Sequence, residues 1–309
     1  MSAPSDLAPW ASDVRVKNKK WIVTLRRGLD LNGVLNLLKT QDVASIRSLR
    51  VPGSVGISGL RALLASTRFN SLNSMALQGF ADEDDAVDVL LDAPAAARLR
   101  IVKVWGVSDA IDMRLARGDF VDRLRQLEIR ASPELTSLDR YFASKRIESL
   151  RFLVINNTGL AEARRLFENP ASAGLQGMSL ARCEYGPDTV RTLAASRHLT
   201  ALRKLNLSYH RDGAVLRAIR DLLRSRGLPQ LQQLTLCGCQ LEGFDWSVLQ
   251  FPALTRLDLR DNVVEVDQMS DILKAVPSLQ TLIVNSPENA MPPRMDRRII
   301  VDDRRPRFG

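Results

Sequence analysis

The chain has little of what most active sites are made from. Its 309 residues include three cysteines and two histidines, and aromatics make up 5%. An odd cysteine count gives no disulfide framework, and the default environment is a reducing cytoplasm. No phosphate loop, dinucleotide fingerprint, zinc-protease helix or nucleophile elbow occurs. The acidic run from Asp82 to Asp85 is what a helix N-terminus favours. No apolar run approaches the length of a membrane span. The opening "MSAPSDLAPWASDVRVKNKK" has no apolar core of the kind a secretory signal needs. These absences argue against an enzyme, a metal protein and a membrane protein, and no cofactor is expected.

What is present fits a globular chain: 45% hydrophobic residues and 26% charged. Its length suffices for one large core or two ordinary ones. The formal net charge is +9, and arginine outnumbers lysine 36 to 8. GC-rich coding produces that bias as readily as function does, so only its placement is informative.

The dominant signal is a repeat. The stretch "LQQLTLCGCQL" (231–241) reads L-x-x-L-x-L-x-x-C-x-L, with Leu231, Leu234, Leu236, Cys239 and Leu241 on the fixed positions. The template recurs in "LTRLDLRDNVV" (254–264), "LRFLVINNTGL" (150–160), "LQGMSLARCEY" (175–185), "LRKLNLSYH" (202–210) and "LQTLIV" (279–284). Weaker copies start at Ile46, Leu72, Leu99 and Leu124, so ten copies recur every 23–29 residues. Each begins with in–out alternation, which specifies a strand. Helical spacing follows: Val215, Leu216, Ile219, Leu222 and Leu223 share one apolar face, and Gly227 is placed to end that helix. Residues 82–94 and 186–198 read the same way, the second with His198 in its basic last turn.

This pattern resembles the leucine-rich-repeat family, of ribonuclease-inhibitor-like period, over residues 46–286. The ninth positions of the first four copies depart from it, being Ser54, Phe80, Val107 and Ser132. The resemblance implies an α/β fold: a right-handed solenoid with a parallel β-sheet on the concave face and helices on the convex face. The expected division is a polar N-terminal tail (1–20), a capping strand and helix (21–45), the solenoid (46–286) and a basic C-terminal tail (287–309), where "RIIV" could add an edge strand.

The repeat also assigns the cysteines. Cys183, His210 and Cys239 hold the ninth slot of three successive turns, a slot that turns inward to satisfy loop backbone groups. A linear ladder lacks the convergence that tetrahedral metal binding needs. Cys237, at position seven, is expected on the concave side.

On this register the exposed concave positions two, three, five, seven and eight carry twelve basic residues and three acidic ones, Glu128, Asp258 and Asp261, while the rest of the chain balances. The candidate partner-binding residues are Arg47, Arg50, Arg100, Lys103, Trp105, Arg125, Arg130, Arg151, Phe152, Arg182, Arg203, Lys204 and Tyr209. Arginines interleaved with aromatics suit an interface hot spot. The function expected is a protein-interaction scaffold whose partner has an acidic surface. No membrane or small-molecule substrate is expected. The alternative is nucleic acid along the same arginines, although aromatics for stacking bases are sparse. A GTPase-activating or other regulatory role has nothing beyond the repeat type behind it.

Overall fold

The computed structural model describes residues 6–17, 20–81, 83–105, 121–130, 141–156, 163–210, 212–286 and 296–302. Val107 and Ser132 lie outside these. The chain divides into two compact units, Met1–Leu150 and Arg151–Gly309.

The first unit opens with an antiparallel hairpin, β1 (Ala11–Lys17) and β2 (Lys20–Leu25). Strand β1 lies inside the segment read from sequence as a polar tail. Its alternating Val14 and Val16 stand opposite Val23 and Trp21. Parallel strands follow in chain order: β3 (Ile46–Pro52), β4 (Ser74–Gln78), β5 (Ile101–Trp105) and β6 (Gln126–Arg130). Between them run α1 (Leu31–Lys39), α2 (Gly56–Ala65) and α3 (Glu83–Asp92), with α2 packed on both of the others.

The second unit has β7 (Phe152–Asn156), β8 (Gly177–Ser179), β9 (Lys204–Asn206), β10 (Gln233–Thr235), β11 (Arg256–Asp258), β12 (Thr281–Val284) and β13 (Ile299–Val301), again parallel and in chain order. Its helices are α4 (Arg164–Glu168), α5 (Pro187–Ala195), α6 (Gly213–Leu223) and α7 (Val266–Ala275). Asp212 caps α6 by accepting from the Ala214 and Val215 N–H groups. The Glu265 side chain accepts from the Gln268 N–H and the Gln268 side chain accepts from the Glu265 N–H, a capping box on α7.

All ten repeat strands begin at the expected residue or two residues later. Positions one, four and six are buried in every copy: Leu231, Leu234 and Leu236 have at most 1% exposure, and Leu254, Leu257 and Leu259 have none. Each buried leucine stabilises the fold by ~1.5–3 kcal/mol relative to an exposed one. Gly227 does not end α6, which stops at Leu223. It admits a close approach instead, since a Cβ there would lie 1.7 Å from the Ala194 carbonyl oxygen. Among the described residues no helix is long and apolar enough to cross a membrane.

Candidate interaction surface on the strand rows

Stacking fixes the outward rows. At position two the backbone runs as a ladder: Asn73 N–H donates to the Arg47 carbonyl, Arg100 to Asn73, and Arg125 to Arg100, at 2.7–3.0 Å. The second unit repeats this from Arg151 through Gln176, Arg203, Gln232 and Thr255 to Gln280. Arg47, Arg100 and Arg125 therefore share one row, as do Arg151 and Arg203.

In the first unit the outward row at position five holds Arg50, Ala76, Lys103 and Glu128. Position seven holds Pro52, Gln78, Trp105 and Arg130. Glu128 is only 1% exposed. It forms ion pairs with Lys103 Nζ at 2.6 Å and with Arg130 Nε at 2.7 Å. Counting it from sequence as an exposed acid was therefore wrong: it is a buried organiser that fixes two cations. The Arg50 guanidinium stacks over the Trp105 ring at 5.7 Å. Small side chains lie beneath these long ones, with Ser48 and Ser74 hydroxyls bonded at 3.1 Å and Ala76 beside them. Arg47, Arg50, Arg100 and Arg125 form no ion pair with any described residue.

In the second unit position three runs Phe152, Gly177, Lys204, Gln233, Arg256, Thr281. Phe152 is exposed and its ring lies over Gly177, where a Cβ would come within 2.7 Å of it. Lys204 and, two strands further along, Arg256 are exposed in the same row, and Arg203 is exposed beside Lys204.

Position seven behaves differently here. Cys237 does not face outward as expected; it has no exposure. The turns that follow β8, β9 and β10 swing position seven inward, so Ala181 and Ser208 are buried too. Position eight then takes the left-handed conformation in Arg182, Tyr209, Gly238 and Asp261, with φ between 57° and 64°. A polar chain runs through these turns. Ser208 Oγ accepts from Cys237 N–H at 3.0 Å, and Cys237 Sγ donates to Asp258 Oδ1 at 3.3 Å. Arg260 donates to Asp258 at 2.7 Å and reaches Asp302 at 3.2 Å. Asp258 is thus a second buried carboxylate that sequence reading took as exposed. Burial and then the Asp258 carboxylate push the Cys237 thiol far above its ordinary range.

Arg182 and Tyr209 belong to the position-eight stack. Arg182 lies over the Tyr209 ring at 4.6 Å. That ring spans Gly238, and its hydroxyl donates to Asp261.

In the second unit the described ninth positions turn inward as expected, each donating to a carbonyl at position six of a preceding turn, whereas in the first unit Ser54 is exposed and Phe80 is buried with no side-chain hydrogen to donate. Cys183 Sγ bonds Ile155 O at 3.0 Å, Cys239 Sγ bonds Leu207 O at 3.2 Å, and Asn262 Nδ2 bonds Leu236 O at 2.8 Å. His210 makes the matching bond to Leu180, and its Nε2 meets the Tyr185 hydroxyl at 2.7 Å. Burial drives the His210 imidazole down to about 4 and the Cys239 thiol up to about 12. Cys183, Cys237 and Cys239 are free thiols.

No family model and no curated protein matches the chain. A solved structure of the yeast Rad7–Elc1 complex contains a chain similar over 89% of this one and 72% of its own length, at 14% identity and a TM-score of 0.58. An internalin, InlF of Listeria monocytogenes, is similar over 82% of this chain and 81% of its own, at 14% identity and a TM-score of 0.41. Strand–helix units stacked in chain order on a parallel sheet define an α/β repeat protein. Its particular fold is that of the leucine-rich-repeat proteins.

Proposed function

We propose that the protein is a non-enzymatic interaction scaffold, and that the outward strand rows of its first unit take an acidic surface of a protein partner. The observation that carries this reading is cation density: Arg47, Arg50, Arg100, Lys103, Arg125 and Arg130 stand on four adjacent strands against one carboxylate, Glu128, which is buried. Strands lie about 4.8 Å apart, so the four span about 14 Å. Like charges held that close repel, and an acidic partner relieves the repulsion. The floor of Ser48, Ser74 and Ala76 leaves room for partner carboxylates to meet guanidinium groups edge-on. Trp105 supplies an aromatic anchor beside them. The similar chain of known structure belongs to a protein–protein complex, which supports scaffolding in general terms. In the second unit Phe152, Arg203, Lys204 and Arg256 offer a smaller basic patch of the same kind.

The test is affinity capture from native lysate with and without nuclease, then titration of the purified partner. An Arg100→Ala/Arg125→Ala variant is expected to stay folded and bind at least about tenfold more weakly, or ~1.4 kcal/mol. Wild-type affinity is expected to fall as salt rises. Loss of the partner on nuclease treatment favours nucleic acid along the same rows, and normal binding by the variant removes the first unit as the site.

A further inference from the structure

The outer edge of β1 has no neighbouring strand among the described residues; β1 pairs only with β2. An edge of this kind leaves a row of backbone N–H and C=O groups unpaired, and natural sheets usually shorten, bend or interrupt such strands. Strand β1 is seven residues long, contains no proline, and has its one irregularity at the very start, between Ala11 and Asp13. Repeat proteins also need a polar outer face on their terminal units. Here three of the six exposed large apolar side chains among the described residues, Val16, Leu31 and Leu35, fall in the first turn.

We infer that the free edge of β1 pairs antiparallel with β1 of a second copy, forming a two-fold dimer. The sequence of the strand is self-complementary about Val14. With the two-fold axis at that residue, Val14 meets Val14 of the other copy, and Asp13 meets Arg15 at two symmetric places. An axis perpendicular to the sheet must pass through a paired residue for side chains to stay on their own face. The neighbouring registers therefore set Asp13 against Asp13 or Arg15 against Arg15, and like charges directly opposite are unfavourable. The Arg15-centred register also sets Asp13 against Lys17, but only the Val14-centred one pairs opposite charges without placing like charges opposite. Asp13 and Arg15 share the outward face and touch each other at 2.8 Å, both well exposed, so they can exchange that contact for two across the axis. Val14 and Val16 sit on the opposite face, against Val23 and Trp21, and Val16 is 38% exposed.

Light scattering on the full chain after gel filtration should give twice the monomer mass of 34.4 kDa. Asp13→Arg and Arg15→Asp, each alone, should weaken the dimer at least about tenfold. The double exchange Asp13→Arg/Arg15→Asp restores complementarity and should restore the dimer. That rescue separates lost pairing from lost folding. Ile300→Asp, on β13, should leave the mass unchanged. A monomer at about 100 µM, where a specific dimer of micromolar Kd is nearly full, overturns the inference. So does a dimer indifferent to both single exchanges, or one that the double exchange does not restore.

Discussion

The two units use one repeat in two ways. In the first, strands of five to seven residues carry the outward rows through position seven, where Gln78 is exposed and Trp105 part-exposed. In the second, β8 to β11 stop after three residues, and after β8, β9 and β10 position seven folds into the interior as Ala181, Ser208 and Cys237. The ladder still continues past the short strands: Arg182, Tyr209 and Gly238 donate their N–H groups to the carbonyls of Ser208, Cys237 and Arg260 in the next turn, at 2.7–2.9 Å. The difference lies in where polar side chains find partners. In the second unit they bond along the turns, so its strand ends are consumed by internal structure. In the first, cations crowd an open face with one buried carboxylate among them, and the unmet charge points outward.

The sharpest way to break this contrast is a charge at position seven. Cys237→Arg forces a long side chain into the filled slot between Ser208 and Asp258 and should destabilise by roughly 1–3 kcal/mol through overpacking. Gln78→Arg, at the same position of the first unit, should stay within about 0.5 kcal/mol. Urea denaturation of the two variants compares them directly, and equal effects would erase the distinction.

Acid sharpens it next. Both histidines, His198 and His210, lie in the second unit. His210 is neutral in the fold, with its pKa lowered to about 4 by burial. The unfolded chain takes up that proton near pH 6.5, so the contribution is fully present above pH 6.5 and is lost as pH falls towards 4. The loss should reach roughly 3 kcal/mol at the lower limit. His210→Gln should flatten the stability profile between those values, and an unchanged slope would show the imidazole to be solvated.

A smaller effect separates two left-handed glycines. Gly238→Ala must accept a positive φ and also displace the Tyr209 ring, whose nearest atom would be 2.7 Å from the new Cβ. Gly79→Ala meets the same backbone demand in open space. The expected costs are about 2–3 kcal/mol against about 1 kcal/mol. Last, Tyr209→Phe should cost ~0.5–1.5 kcal/mol through the lost bond to Asp261. Thermal melts resolve both, and a silent Tyr209→Phe would mean that the stack rests on the Arg182 contact alone.

The repeat was legible because its fixed positions are apolar and its period regular: every strand start, the burial of Leu234 and Leu257, the position-two ladder and the inward ninth slot of the second unit follow from it. Cys237 was not legible, since a consensus template says nothing of where a strand stops. The small residues Ala181, Ser208 and Cys237, set against Pro52, Gln78, Trp105 and Arg130, held the available signal. Glu128 and Asp258 misled the surface count because each carboxylate turns in to a cation two residues on, Arg130 and Arg260, and Glu128 also to Lys103 on the neighbouring strand. Strand β1 was overlooked because its valines alternate with charges over too short a span to separate from a polar tail.

The rungs formed at position nine are chemically unlike one another: a thiol at Cys183, an imidazole at His210, a second thiol at Cys239 and an amide at Asn262. Each has only to offer one hydrogen to one carbonyl from a confined place. The spine therefore tolerates a change of vocabulary without a change of grammar. A rung can drift from one donor type to another while its neighbours keep their geometry, and only a residue with no hydrogen to give, or one too large for the slot, would break the series.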